Sequence, residues 1–242
     1  MFLPYLNKLF IHVIEQQTNI IFMLYNFNQQ QRETKKMGVR DLAGRISLDH
    51  IISFSDAIFA FSITFMAISI QFPQLESNLT QTELFNKILQ LRPQFQTYAI
   101  SFLIVGIYWI SYHLIFNYIR VTHSVLIWVN LAFLFFITLI SFATSIETLY
   151  PQYHIVFLLY TIIITITGSL LAVIWLHASK GHLLIDKNMS ASQIHLVSLL
   201  TIMPPLIFAC SIAISFIDIQ IAHYSWILII PARIIIQRRY RY

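Results

Sequence analysis

The chain has 242 residues, 57% of them hydrophobic and 10% charged, against roughly 25% charged in an ordinary soluble domain. Most of it is therefore kept from water, and the 15 Lys and Arg set against 10 Asp and Glu are too scattered over short loops and tails to make a nucleic-acid surface. A single cysteine, Cys210, excludes an intramolecular disulfide framework, and five glycines exclude Gly-rich linkers and collagen-like repeats.

In chain order, residues 1–44 read as an N-terminal cytoplasmic extension. Its stretch 9–27 is apolar in patches but carries Glu15, Gln16 and Gln17 in the middle, which fits an interfacial helix rather than a span or a signal peptide. Asn28 to Lys36 reads as a polar linker. Residues 45–242 form one domain with spans expected at 51–72, 96–117, 124–146, 154–176, 195–217 and 221–237, each near the ~20 residues that carry a helix across ~30 Å of hydrocarbon. Asp49 is the expected N-cap of the first span, and a short extracytoplasmic helix is expected over 82–91, between Pro73 and Pro93. Pro204-Pro205 is expected to break the fifth span. The fold expected is an all-α integral membrane protein, a six-transmembrane-helix bundle embedded in lipid. Of the 15 Lys and Arg, 13 fall on one side and only Lys87 and Arg92 on the other, which predicts that both termini are cytoplasmic.

Among the acidic residues Asp56 stands apart, because it falls inside a span, where an ionised carboxylate costs about 2.5–3.5 kcal/mol at the centre of a helix and less near the interface. It needs a partner or a water-filled cavity. Candidates are His50, Ser53 and Ser55 on its own helix, Trp109 and His113, four apart on the second span, and Asn130 on the third. These meet in one buried cluster, or each bonds locally. The first span also shows two stripes at helical spacing: Ser53, Asp56, Ala60, Thr64, Ala67 and Gln71 are small or polar, while Phe54, Ile58, Phe61, Phe65, Ile68 and Phe72 are large and apolar. A small-residue stripe means close helix packing or a pore lining.

The run from Phe54 to Thr64 (Phe-Ser-Asp-Ala-Ile-Phe-Ala-Phe-Ser-Ile-Thr) resembles the signature of the transmembrane protein 175 family of potassium channels. Leu91-Arg92-Pro93-Gln94-Phe95, the Trp109 to His113 segment and Asn130-Leu131 with Phe133-Leu134 follow the family's second and third helices in order and spacing. The likeness is clear over about 47–150; the later spans match in number and hydrophobicity. It implies a homotetramer of six-helix subunits whose first helices line a central pore, with potassium as the permeant ion and no cofactor. The family's constriction falls here on Phe61, Phe65 and Ile68, with the Thr64 hydroxyl beside them and the Ala60/Thr64/Ala67 stripe as their packing shoulder. His50, Phe54, Ser55, Asp56, Trp109, His113 and Asn130 become the network that holds the pore helix. Two positions depart from the family: His50 stands where it has arginine, and Tyr112-His113 where it has two histidines. His50 is expected to donate to Asp56 when protonated. The Phe-Ser-Asp motif occurs once, as in the single-repeat prokaryotic form, which implies a plasma-membrane location. Two rival readings remain: a proton-coupled carrier with Asp56 and a histidine as relay, and an intramembrane enzyme using a histidine metal site such as His177 and His182.

Overall fold

The computed structural model describes residues 47–68, 70 and 80–240. The extension 1–44, with its expected interfacial helix and linker, and the end of the first span at 71–72 lie outside the described residues. The described residues form eight α-helices and no strand: α1 Leu48–Ile68, α2 Gln81–Gln90, α3 Arg92–Phe116, α4 Ser124–Leu149, α5 His154–Ser179, α6 Ala191–Ser215, α7 Ile219–Ser225 and α8 Ile229–Arg239. A 3-10 turn, Trp226–Leu228, joins α7 to α8, and with it they make the last of six elements long and apolar enough to cross a membrane. The described residues are thus all-α and hold six spans, which makes this a multi-pass membrane protein.

Local chemistry sets the boundaries. Ser47, rather than Asp49, caps α1: its Oγ accepts from the His50 amide at 3.3 Å, while Asp49 sits in the first turn, where a carboxylate suits the helix dipole. The short helix α2 starts on a capping box in which Thr80 and Glu83 bond each other's amides. The Thr80 amide and hydroxyl hold the Glu83 carboxyl below the usual carboxylate range. A second capping box, Ser190 with Gln193, starts α6 four residues before the hydropathy pattern does. At the end of α5, Gly181 takes φ +60°, a left-handed conformation that glycine adopts without strain.

The helix α4 is central, packing against α1, α3 and α5; α5 in turn packs against α6, and α6 against α7 and α8. Lipid gives helices no hydrophobic drive to associate, so close backbones and polar bonds hold them together. Trp175 of α5 donates to Ser198 of α6 at 2.8 Å, and Trp226 donates to Ser211 of α6 at 2.9 Å. Hydroxyls at Thr161, Thr165, Thr167 and Thr201 donate to carbonyls four residues back, which lets them sit in hydrocarbon without an orphaned donor. On the face where α1 begins, the α3–α4 and α5–α6 loops are joined through Arg120 N–H to the Leu184 carbonyl at 2.8 Å and Asp186 N–H to the Tyr118 carbonyl at 3.0 Å. The Asn188 amide, then the Arg120 guanidinium, holds the Asp186 carboxyl below its usual range.

The expected break at Pro204-Pro205 does not occur: both prolines lie inside the continuous helix α6. The rings are used for packing, since Pro205 lies against Gly168 of α5, where a Cβ would stand 3.1 Å from it and 2.9 Å from the Tyr108 hydroxyl. Tyr108 Oη is committed to the Ile164 carbonyl at 2.6 Å, so neither neighbour yields freely. Gly168→Ala is therefore expected to destabilise the purified protein by about 1–3 kcal/mol. Gly106→Ala, where a Cβ meets nothing within 4 Å, is expected to be neutral or slightly stabilising in the same thermal-unfolding measurement.

Candidate functional site

The buried face of α1 is Ile51, Ser55, Phe59, Ser62 and Met66, spaced three and four apart. Neither stripe read from the sequence is this face. The small residues Ala60, Thr64 and Ala67 are exposed in the subunit and do not pack α1 against it.

At the edge of the buried face the Asp56 carboxylate accepts from Trp109 Nε1–H at 2.9 Å and from His113 Nε2–H at 2.8 Å. The two donors stand one helical turn apart on α3, their rings edge to face at 4.7 Å. His50 takes no part. Its ring bonds Ser47 Oγ at 2.8 Å, and six residues of helix, about 600°, carry it off the Asp56 face. The expected His50–Asp56 pair is therefore absent.

Directly behind lies a second knot. Ser55 Oγ donates to the Ile51 carbonyl at 2.8 Å, so its lone pairs accept from the Tyr112 hydroxyl at 2.7 Å and the Asn130 amide at 3.3 Å. Asn130 thus joins the network through Ser55 rather than through Asp56. Around it Tyr112 stacks on Phe133 at 5.8 Å and on Phe116 at 4.1 Å, and Phe59 meets both Tyr112 and Phe133. Tyr112 is the group the sequence underrated: on α3 it lies between the two faces, a hydroxyl among aromatic rings. Further along α1 the Ser62 carbonyl accepts from Ser141 of α4 at 2.9 Å.

With that face engaged, the opposite one is left uncovered. Phe61 is 62%, Phe65 47% and Ile68 68% exposed, with the Phe61 and Phe65 rings stacked at 5.6 Å. Phe54 is exposed beside them, and Thr64 bonds its hydroxyl to the Ala60 carbonyl at 2.8 Å. The Asp56 side chain itself remains 41% exposed.

Two buried charges escaped the sequence reading. Arg233, counted there as a flanking cation, is 7% exposed and donates to Ser111 of α3 at 3.0 Å. Glu147 fell one residue past the expected end of the third span, yet α4 continues through it, and it is 4% exposed. Its place one step beyond Ile140 and Thr144 on the buried face was the available signal. No group of three or more His, Cys, Asp and Glu side chains that could hold a metal gathers among the described residues.

Residues 50–140 match the family described as "Endosomal/lysosomal potassium channel TMEM175". A potassium channel of Streptomyces collinus is 25% identical over 136 residues, which cover 54% of this chain and 65% of the relative. A potassium channel of Chryseobacterium sp. is 32% identical over 93 residues, 38% of this chain and 45% of the relative. These matches thus span less than two thirds of either relative's length. The crystal structure of a lysosomal potassium-selective channel TMEM175 homolog from Chamaesiphon minutus shares the fold with a TM-score of 0.66 at 20% identity, over 81% of this chain and 98% of that one.

Replacing Ser55 by alanine strands the Tyr112 hydroxyl and the Asn130 amide in a dry interior. We expect Ser55→Ala to lower stability by about 1–3 kcal/mol in thermal unfolding, and Ser53→Ala, on the exposed face of the same helix, to change it by less than about 0.5 kcal/mol.

Proposed function

We propose that this chain, which belongs to the TMEM175 family through residues 50–140, is one subunit of a potassium-permeable channel that lets ions run passively down their gradient. The observation that carries the reading is the state of Asp56. A carboxylate in a membrane helix, bonded on one side and 41% exposed on the other, is costly against acyl chains and needs water or another protein surface over its open side. The uncovered face of α1 that begins beside it holds Phe54, Phe61, Thr64, Phe65 and Ile68. Four subunits meeting on that face would enclose a pore lined by α1. Phe61, Phe65 and Ile68 then form its apolar rings, with Thr64 the hydroxyl alongside. A narrow apolar ring is dry and closed, and a small widening wets it and lets ions pass. In this arrangement Asp56, Trp109 and His113 set the rotation of the pore helix without touching the ion. The continuous course of α6 through Pro204-Pro205 removes the broken helix that favoured a carrier.

We place both termini in the cytoplasm of a prokaryotic cell, on the 13 of 15 Lys and Arg that lie on that side and the single Phe-Ser-Asp motif.

Native mass spectrometry of the purified protein is expected to give four copies, and liposomes containing it to pass potassium faster than empty ones. A well-folded oligomer with no cation flux above background overturns the channel reading. Phe61→Ala is expected to change conductance or selectivity with the oligomer intact, whereas Asp56→Ala is expected to reduce the yield of assembled oligomer. If Phe61→Ala leaves both conductance and selectivity at wild-type values, Phe61 does not face the pore.

A further inference from the structure

A second ionisable pair is buried at the other end of the bundle. Asn130, near the start of α4, bonds Ser55; 17 residues on, about 25 Å along the helix, lies Glu147. Its Oε1 stands 3.3 Å from Nε2 of His223 in α7, with side-chain exposures of 5% for Glu147 and 29% for His223. The other carboxylate oxygen, Oε2, and the neighbouring Thr148 hydroxyl are buried with no hydrogen-bond partner.

The far side of the imidazole decides where its hydrogen is. His223 Nδ1 lies 3.0 Å from the Ile219 carbonyl oxygen, which has only lone pairs to offer, so Nδ1 carries the ring hydrogen. In a neutral ring Nε2 is then a bare lone pair, and it faces a carboxylate oxygen. Lone pair against lone pair repels, more strongly in a buried site than in water. One proton between the two atoms turns repulsion into attraction, whether it is written as imidazolium with carboxylate or as imidazole with carboxylic acid. We infer that Glu147 and His223 form a binding site for a single proton that clamps α7 to the end of α4.

Among the described residues, the neighbouring ionisable groups are engaged elsewhere, which leaves these two to share it. The His223 ring is edge-on to Phe157 of α5 at 4.7 Å and to Trp226 at 4.9 Å. Tyr160, the ionisable group that α5 places beside Trp226, has its hydroxyl bonded to Ser101 of α3 at 2.8 Å. His154, at the start of α5, bonds Ser215 of α6 at 3.0 Å, and Asp218 caps α7 by accepting from the Ile221 amide at 2.9 Å. Met66 of α1 and Ser101 of α3 bond Thr144, one turn from Glu147, and Ser211 of α6 bonds Trp226, all uncharged, while Arg92, which opens α3 at this end, is exposed. The clamp stabilises the fold while that proton is bound, and this stabilisation is lost when rising pH removes it.

The site does not depend on which ion the protein passes, and its test reads no flux. The full chain in lipid nanodiscs is unfolded thermally at pH 5.5 to 8.5. The wild-type midpoint is expected to fall with rising pH, the folded-to-unfolded ratio dropping by up to about tenfold per pH unit. In Glu147→Gln an amide N–H meets the Nε2 lone pair with no extra proton, so this variant is expected to fold and to lose the slope. His223→Gln is expected to lose it as well, and His154→Gln to keep it. A flat wild-type profile, or a slope of wild-type size in either Glu147→Gln or His223→Gln, overturns the proposal, as does its disappearance in His154→Gln. If neither variant of the pair folds, wild-type tryptophan emission decides: imidazolium against the Trp226 ring is expected to quench it at acid pH, and emission constant over the range overturns the site.

Discussion

A carboxylate inside a membrane must be met by hydrogen-bond donors, and in this protein the donors come from one turn of a single neighbouring helix. Trp109 and His113 both reach the same oxygen of Asp56, which sets the rotation of α1 about its axis. A one-residue slip of α1 would swing every side chain by about 100° and move the carboxylate off its donors, at a cost of about 2.5–3.5 kcal/mol if it reached the middle of the hydrocarbon. Everything else about α1 follows from that rotation. Ser55 turns to Tyr112 and Asn130, Phe59 enters the aromatic cluster, Ser62 and Met66 lie against α4, and Phe61, Phe65 and Ile68 point away from the subunit.

The same economy runs through the rest of the bundle. Hydrophobic burial cannot drive one apolar helix onto another in lipid, so specificity resides in a few polar bonds and close backbone approaches. Helix α4 supplies Asn130, Ser141 and Thr144 along one face, and Thr144 continues through Ser101 of α3 to Tyr160 of α5. Helix α3 is gripped on both sides within five residues, by Asp56 at Trp109 and His113 and by Arg233 at Ser111. The last span is thereby connected to the helix that orients α1, and at its other end His223 meets Glu147 of α4.

Hydropathy was enough for the six spans, because each must cover the same thickness of hydrocarbon and little else in the chain is apolar for as long. The short helix expected over 82–91, between Pro73 and Pro93, lies within a residue of that place at Gln81–Gln90, whereas the cap expected at Asp49 belongs to Ser47. Asp56 was identifiable as a network centre because an intramembrane carboxylate has few affordable surroundings, and the i, i+4 spacing of Trp109 and His113 matched it with two donors. The failures share one cause. Hydropathy weighs each residue without its neighbours in space, and so it put Glu147 just outside a helix that continues through it and left Arg233, within the expected last span, as a mere flanking cation, although both are buried by neighbours distant in sequence. Likewise Pro204-Pro205 read as a break, although Gly168 on another helix gives those rings a place to pack.

By itself, then, the amino-acid order determined that this is a membrane protein, roughly where its six spans lie, and that Asp56 had to be satisfied by a neighbour, since all three follow from local composition and the energetics of hydrocarbon. Only the tertiary structure decided which face of α1 is buried. Three stripes on that helix are each regular enough to pack, and the choice fell to Ser55, Phe59, Ser62 and Met66 because those positions meet Tyr112, Phe133, Ser141 and Thr144 once the carboxylate has found its donors. Periodicity along one helix carries no information about which partner stands opposite, and that is why the pairing of Glu147 with His223 came from the fold alone.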